Sequence, residues 1–236
     1  MSDDLDNPQG ETDTFRDRVR RSIRSWQSSR FPDSIFIWIP KNAGTSLFTL
    51  LRRNGLIKLK SPESVKRYFR NSGRVTFGHM AVRPLVADGL VSPQFVENAF
   101  KFVVTRDPYA RAVSLYQYLH EPLLSKQPEP PSFLAFLDLL AAGRYAKIGP
   151  YNSRGLSQCN PQTEWLRDLP PDKIYKIEEP DELIADLSAR WMIPPSRIPH
   201  ENRSSAAPDL KLSRKERNLI EQIYADDFRL LGYPLR

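Results

Sequence analysis

The chain predicts an α/β fold with a mainly parallel central sheet flanked by helices, and three observations lead there. Ser34-Ile-Phe-Ile-Trp-Ile39 and Phe100-Lys-Phe-Val-Val-Thr105 are continuous apolar, β-rich runs, the pattern of strands buried on both faces. Each is followed by a turn and then a helix-period stretch: Leu47, Leu50 and Leu51 after the first, Ala112, Val113, Tyr116 and Leu119 after the second. Strands and helices also alternate along the chain, which implies crossover connections and parallel pairing. At 236 residues and 40% hydrophobic, the chain can bury one sizeable core, so fibrous and wholly disordered classes are excluded.

The elements follow in order. Residues 1–13 are polar, rich in Asp, Asn and Gly, and expected to be disordered. Phe15, Val19, Ile23 and Trp26 predict an N-terminal helix over 14–30 with arginines on its outer face; a docking helix and a membrane-surface or nucleic-acid arm both satisfy that pattern. Residues 31–236 read as a single domain. The first strand and its helix are followed by a second helix from Pro62 to about Arg70 capped by Ser61, and by a short strand, Arg74-Val-Thr-Phe77. After the second buried strand, Asp107-Pro108 supplies the cap and first residue of the next helix. Glu121 to Ser132, with its four prolines, reads as a long loop bordering a site. A helix near 132–142, a strand at Ile174–Ile177, a helix after Pro180 and a last helix opened by the Ser213…Glu216 capping box complete the pattern.

A lone cysteine, Cys159, cannot form an intramolecular disulfide and lacks a local base, so it reads as inert. Three histidines without ligand spacing give no expectation of a metal site. No stretch approaches the roughly 18 consecutive apolar residues of a membrane span. The opening MSDDLDNPQGETD is acidic where a signal peptide would be basic and then apolar. The expectation is a cytoplasmic protein.

The net charge of +7 is unevenly placed. Residues 1–30 balance to zero, residues 31–120 carry +8, and residues 121–236 carry −1. The excess therefore belongs to a folded stretch facing an anion more than to a basic tail. A nucleic-acid module is disfavoured, since neither a recognition helix nor an aromatic stacking pattern is present.

Two motifs carry chemistry, each at the carboxyl end of a strand where a helix begins, the place where open α/β sheets bind ligands. In Pro40-Lys41-Asn42-Ala43-Gly44-Thr45-Ser46, Gly44 lets backbone approach an anion, Thr45 and Ser46 add hydroxyls, and Lys41 is a mobile charge. The lysine precedes the glycine, so this is not a nucleoside-triphosphate P-loop. In Thr105-Arg106-Asp107-Pro-Tyr-Ala-Arg111-Ala-Val-Ser114, Arg106 sits at the mouth, while Arg111 and Ser114 share a helix face and could hold a second phosphate.

These residues resemble the sulfotransferase superfamily, most closely its carbohydrate-modifying branch that includes the heparan and uronyl 2-O-sulfotransferases. PKNAGTS matches the family's 5′-phosphosulfate loop and TRDPYARAVSLY its 3′-phosphate motif. Asn160-Pro-Gln-Thr163, Tyr175-Lys-Ile-Glu-Glu179 and Pro199-His-Glu-Asn202-Arg203-Ser204 match further blocks, so the resemblance covers roughly residues 34–233. It implies a P-loop-like sulfotransferase fold and transfer of a sulfuryl group from 3′-phosphoadenosine 5′-phosphosulfate (PAPS) to a carbohydrate hydroxyl, without a metal. It also implies that Lys41, Asn42, Ala43, Gly44, Thr45, Ser46, Arg106, Ser114, Arg203 and Ser204 contact the donor, with Lys41 also acting in catalysis.

The acceptor hydroxyl needs a base, and imidazole suits that task at neutral pH. His79, just past a strand end in Phe77-Gly78-His79, resembles the family's histidine base and ranks first. His120, at a helix end, ranks last, and His200 reads as a cofactor or lid contact. Gln162 and Thr163 are expected either to line the acceptor side or to cap a helix. Trp165 and Trp191 read as core. A donor of about four negative charges would neutralise only part of the +8, which favours an acidic glycan as acceptor. The competing expectation is a catalytically degenerate donor- or glycan-binding protein of the same fold.

Overall fold

The computed structural model describes residues 32–120, 129–144, 156–192 and 211–236. Five strands form one sheet: β1 (Ser34–Ile37), β2 (Ile57–Lys58), β3 (Arg74–Thr76), β4 (Phe100–Thr105) and β5 (Lys173–Lys176), in the order β2-β3-β1-β4-β5. Every pairing is parallel, with Ile35 opposite Val75 on one side and Lys101 on the other. The expected α/β architecture is the observed one.

Among the described residues the helices are α1 (Gly44–Arg52), α2 (Pro62–Tyr68), α3 (Val82–Ala87), α4 (Pro93–Asn98), α5 (Pro108–Leu119), α6 (Phe133–Ala141), α7 (Gln162–Asp168), α8 (Pro180–Trp191), α9 (Arg214–Ile223) and α10 (Ala225–Leu231). Parallel strands need crossovers, and these helices cover both faces. The alternation along β1 and its extension divides the core. Ile35, Ile37 and Ile39 pack with Val65 of α2, Leu85 of α3, Phe95 of α4 and Trp165 of α7. Phe36 and Trp38 point the other way, to Leu47 and Leu51 of α1 and to Leu187 and Trp191 of α8. A third cluster joins α5, α6, α9 and α10 through Leu115, Phe136, Ile220 and Phe228. Trp165 and Trp191 are therefore core, as expected.

The caps follow the sequence. Ser61 accepts from the Ser64 N–H, Asp107 from Ala110 N–H, Ser132 from Ala135 N–H and Ser213 from Glu216 N–H. The structure also departs from expectation. The helix after Ser213 breaks at Tyr224 and resumes as α10, and β2, α3 and α4 are elements the sequence pattern did not reveal. The expected disordered segment 1–13, the helix over 14–30 and most of the Glu121–Ser132 loop lie outside the described residues.

Candidate active site

The carboxyl ends of β1, β2, β3 and β4 converge on one edge of the sheet. From β1 the chain runs through Trp38 and Lys41 into α1. Lys41 and Ala43 both take left-handed backbone, with φ 71° and 56°, a conformation that costs about 1–3 kcal/mol per non-glycine residue. Its return is geometric, because alternating turns of this kind aim successive N–H groups at one concavity suited to an anion. α1 then opens on Ala43, whose side chain cannot cap the helix, and no acidic residue occupies the first turn. The positive end of the helix is thus left for a ligand. Thr45 is exposed beside it and Ser46 is buried in the first turn.

Gly44 has a reason the sequence did not show. A Cβ there would lie 2.0 Å from the Trp38 indole nitrogen, so the glycine admits the indole against the first turn. Its missing side chain makes room for the indole.

The second junction is β4 into α5. Arg106 donates from Nη1 to the Lys41 carbonyl at 3.2 Å, so the two cations sit side by side. Burial, then the Arg106 charge, pushes the Lys41 ammonium down to about 8, and its Nζ rests 4.1 Å above the Tyr118 ring. Burial likewise lowers Arg106, with Glu178 and Asp107 opposing the shift. Glu178, from the block after β5, accepts from the Asp107 N–H at 2.8 Å and holds this loop to the sheet.

One side chain ties the junctions together. Gln162 Oε1 accepts from Asn42 Nδ2 at 2.7 Å and from the Arg106 N–H at 2.9 Å, while Nε2 donates to the Arg106 carbonyl at 2.8 Å. Asn42 Nδ2 also donates to the Val104 carbonyl at 2.9 Å. The Asn42 side chain therefore faces inward, and only its backbone is turned toward the candidate anion site. Gln162 and Thr163 are buried, and their N–H groups donate to the fully buried Asp227 carboxylate, each at 2.9 Å. Neither expectation for this pair is met: Pro161 holds the N-cap position of α7 without a side-chain bond, so the acceptor for the first turn comes from Asp227, and burial places Gln162 and Thr163 behind the loops and away from an acceptor.

Arg111 is 1% exposed and reaches under both junctions, donating from Nε to the Pro40 carbonyl at 3.3 Å and from Nη2 to the Gln158 carbonyl at 2.8 Å. Its Nη1 and Asn42 Oδ1 are buried without a hydrogen-bond partner among the described residues, a cost proteins seldom carry unless something else supplies the partner. An unmet guanidinium donor below an uncapped helix end is consistent with an anionic ligand. Ser114 lies half-buried one turn further along α5.

Past β3, His79 hydrogen-bonds through Nδ1 to the Trp38 carbonyl at 3.0 Å. A carbonyl only accepts, so Nδ1 carries the proton and Nε2 the lone pair. Its ring meets the Trp38 indole edge-on, centroids 5.4 Å apart. Burial, assisted by the charges of Lys58 and Lys41, pushes the imidazole down to about 4, so it is neutral at physiological pH. Lys58, at the end of β2, was not singled out from sequence; its Nζ lies 3.8 Å over the Trp38 ring and 5.6 Å from that of Phe48. His120 ends α5 against the Tyr116 ring. His200, Asn202, Arg203 and Ser204 lie outside the described residues. Cys159 is fully buried, and burial pushes its thiol up to about 11, in keeping with an inert residue.

Among the described residues no helix is long and apolar enough to cross a membrane. The fold has known counterparts. The chain superimposes on a mouse sulfotransferase, SULT7A1, solved in complex with PAP, with a TM-score of 0.54 and 16% identity over 87% of this chain and 88% of that one. It also superimposes on a sulfotransferase from Alicyclobacillus acidocaldarius, with a TM-score of 0.50 and 16% identity over 86% of this chain and 97% of the other. No protein-family model and no curated protein sequence matches. The architecture is that of the sulfotransferase fold.

Proposed function

We propose that the protein is a PAPS-dependent sulfotransferase that moves a sulfuryl group to a hydroxyl of an acidic carbohydrate by in-line displacement. One observation carries this reading: two anion-receiving strand-to-helix junctions, after β1 and β4, are clasped into a unit by Gln162, with a neutral imidazole at the end of β3 on the other side of β1. A donor charged at both ends of its adenosine needs two such pockets. The mouse enzyme of this fold was solved with PAP, which lends support.

The donor, when bound, supplies a sulfuryl group on a phosphate leaving group. Lys41 and the first-turn N–H groups of α1, with Ala43, Gly44, Thr45 and Ser46 around them, stabilise the charge that grows on that phosphate. Asn42 positions the loop. Arg106 and Ser114, with Arg111 beneath them, hold the 3′-phosphate, and Arg203 and Ser204 belong to the same donor set. His79 takes the acceptor proton at Nε2, since its Nδ1–H is committed to the Trp38 carbonyl. A low proton affinity keeps the imidazole ready in the free protein; the donor's negative charge then offsets Lys41 and raises that affinity when it is needed. No metal is proposed, because the cations this chemistry needs are Lys41, Arg106 and Arg111. The +8 of residues 31–120 exceeds the donor's charge of about −4, which supports an acidic acceptor, and a cytoplasmic setting agrees with a buried free thiol.

The test is incubation with labelled PAPS and a panel of acidic and neutral glycans. PAP should form only when a glycan is present, and an acidic one should react fastest. Tight donor binding without turnover on any glycan, phenol or peptide would instead mean a degenerate binding protein of this fold.

A further inference from the structure

The end of the edge strand β2 carries a cation that the donor chemistry leaves unused. Edge strands often present lysines to discourage pairing with other chains, but such lysines stay in water. Lys58 does not: it is half-buried, with its ammonium against the Trp38 face and the Phe48 ring nearby. Burial, then the neighbouring charge of Lys60, holds it down to about 8. No carboxylate lies within ion-pair distance of it among the described residues. On the opposite edge of the sheet the corresponding cation, Lys173 of β5, meets Glu182 at 2.7 Å. A desolvated cation with a like charge beside it and only aromatic faces for company is stable when an anion completes it.

The position of Lys58 says which anion. Its ammonium and the His79 imidazole contact one indole, the ammonium over the ring and the imidazole steeply inclined to it at 72°, and the Lys58 charge is among those that lower the His79 pKa. The cation and the base therefore flank the same wall. Lys58 reaches this wall from the edge strand β2, beyond β3, while the first turn of the junction after β1 packs on the same indole at Gly44. A group on Lys58 would belong to whatever molecule brings its hydroxyl to His79.

We propose that Lys58 is the acceptor-side anion subsite, receiving a carboxylate of the sugar chain close to the hydroxyl that His79 deprotonates, with Lys60 facing the next charge outward. This rests on the sulfotransferase reading and adds to it the residue that selects acidic over neutral acceptors.

The test uses the full chain saturated with PAP and two probes: an N-acetylheparosan octasaccharide, whose only charges are uronate carboxylates, and the same oligosaccharide after carboxyl reduction. Calorimetric titration should show Lys58→Met weakening the carboxylated probe about tenfold, with Lys58→Arg restoring most of the affinity. The reduced probe should bind wild type and Lys58→Met alike, and PAP affinity should not change. Methionine keeps the apolar stem on Trp38, and an unchanged thermal melt checks the fold. Equal binding of the carboxylated probe by wild type and Lys58→Met, or no binding of it by wild type, would overturn the proposal. So would a parallel loss of PAP affinity, which would make Lys58 a donor residue, or a preference for single-stranded DNA over the octasaccharide. If wild type binds the probe through Lys58 yet never releases PAP from PAPS, the catalytic reading fails and the subsite stands.

Discussion

The two flanks of the sheet treat their cations in opposite ways. On the β5 side and in the C-terminal helices, cations find carboxylates: Lys173 with Glu182 at 2.7 Å, Arg190 with Asp186 at 3.2 Å, Arg167 and Arg229 both on Asp226, and Arg236 with Asp107 at 3.0 Å. At the ends of β1, β2 and β4, Lys41 lies over Tyr118, Lys58 over Trp38, and Arg106 and Arg111 on backbone carbonyls. Among the described residues none of these four has a carboxylate at ion-pair distance. The first arrangement is ordinary surface electrostatics, worth little per pair. The second keeps charge partly desolvated and without a direct ion pair, which costs stability unless a ligand supplies the counter-charge. The contrast separates ion-paired cations from the four that the proposed ligands would complete.

Substitutions can break that contrast, and the largest effect belongs to the base. His79→Ala should lower kcat by about 10²–10⁴-fold while PAP affinity, measured by calorimetry, stays at the wild-type level. Unchanged turnover would remove His79 from the mechanism. Lys41→Ala should follow, with kcat/KM for PAPS down about 10²–10³-fold in steady-state assays. Gln162→Ala comes next. It removes the Gln162 bonds to the Arg106 N–H and carbonyl and leaves the Asn42 amide only the Val104 carbonyl, an expected cost of about 1–3 kcal/mol in urea unfolding. Because it loosens both junctions at once, it should raise KM for PAPS more than it lowers kcat. Gln162→Glu, which can accept but not donate to the Arg106 carbonyl, should recover only part. Lys173→Ala is the counter-case: it breaks an exposed pair, and melting temperature and PAP affinity should both stay where they are.

The pH dependence sharpens the same comparison. Burial lowers His79 from 6.5 to about 4, so between those values the unfolded chain binds a proton that the folded chain refuses. Stability contributed by His79 is thus complete above about 6.5 and lost as pH falls toward 4. The loss is on the order of 3 kcal/mol, visible as a slope in urea midpoints that His79→Gln should flatten. The Lys41 ammonium, lowered to about 8, works on the other side of neutrality. An anionic donor favours its charged form, so PAP affinity should be greatest below about 8 and weaken as pH rises through it.

The parts of this molecule that were legible in its sequence are those whose cause is local. β1 and β4 stood out because strands covered on both faces are apolar without interruption, and Ser61, Asp107 and Ser213 marked helix starts because capping is settled within three residues. β2 and α3 were invisible for the converse reason, since two and six residues are too few to show a period. The site divides the same way. The proposed donor junctions Lys41–Ser46 and Arg106–Ser114 were legible because each is a short, continuous stretch of chain. Gln162 was singled out but not for its bridging role, which is made by a hydrogen bond across 120 residues, and Lys58 was not, because only strand order puts it beside Trp38 and His79. Gly44 was noticed for its residue type, but the Trp38 indole that requires it became apparent only in the packing.

The central claim is that the junctions after β1 and β4 form one donor site, and titration of PAP into wild type, Lys41→Ala and Arg106→Ala tests it most directly. The account predicts one PAP per chain for wild type, with affinity reduced at least about tenfold by either substitution alone, since each removes a charge from a different end of the same ligand. No binding by wild type, or wild-type affinity in both variants, would contradict it.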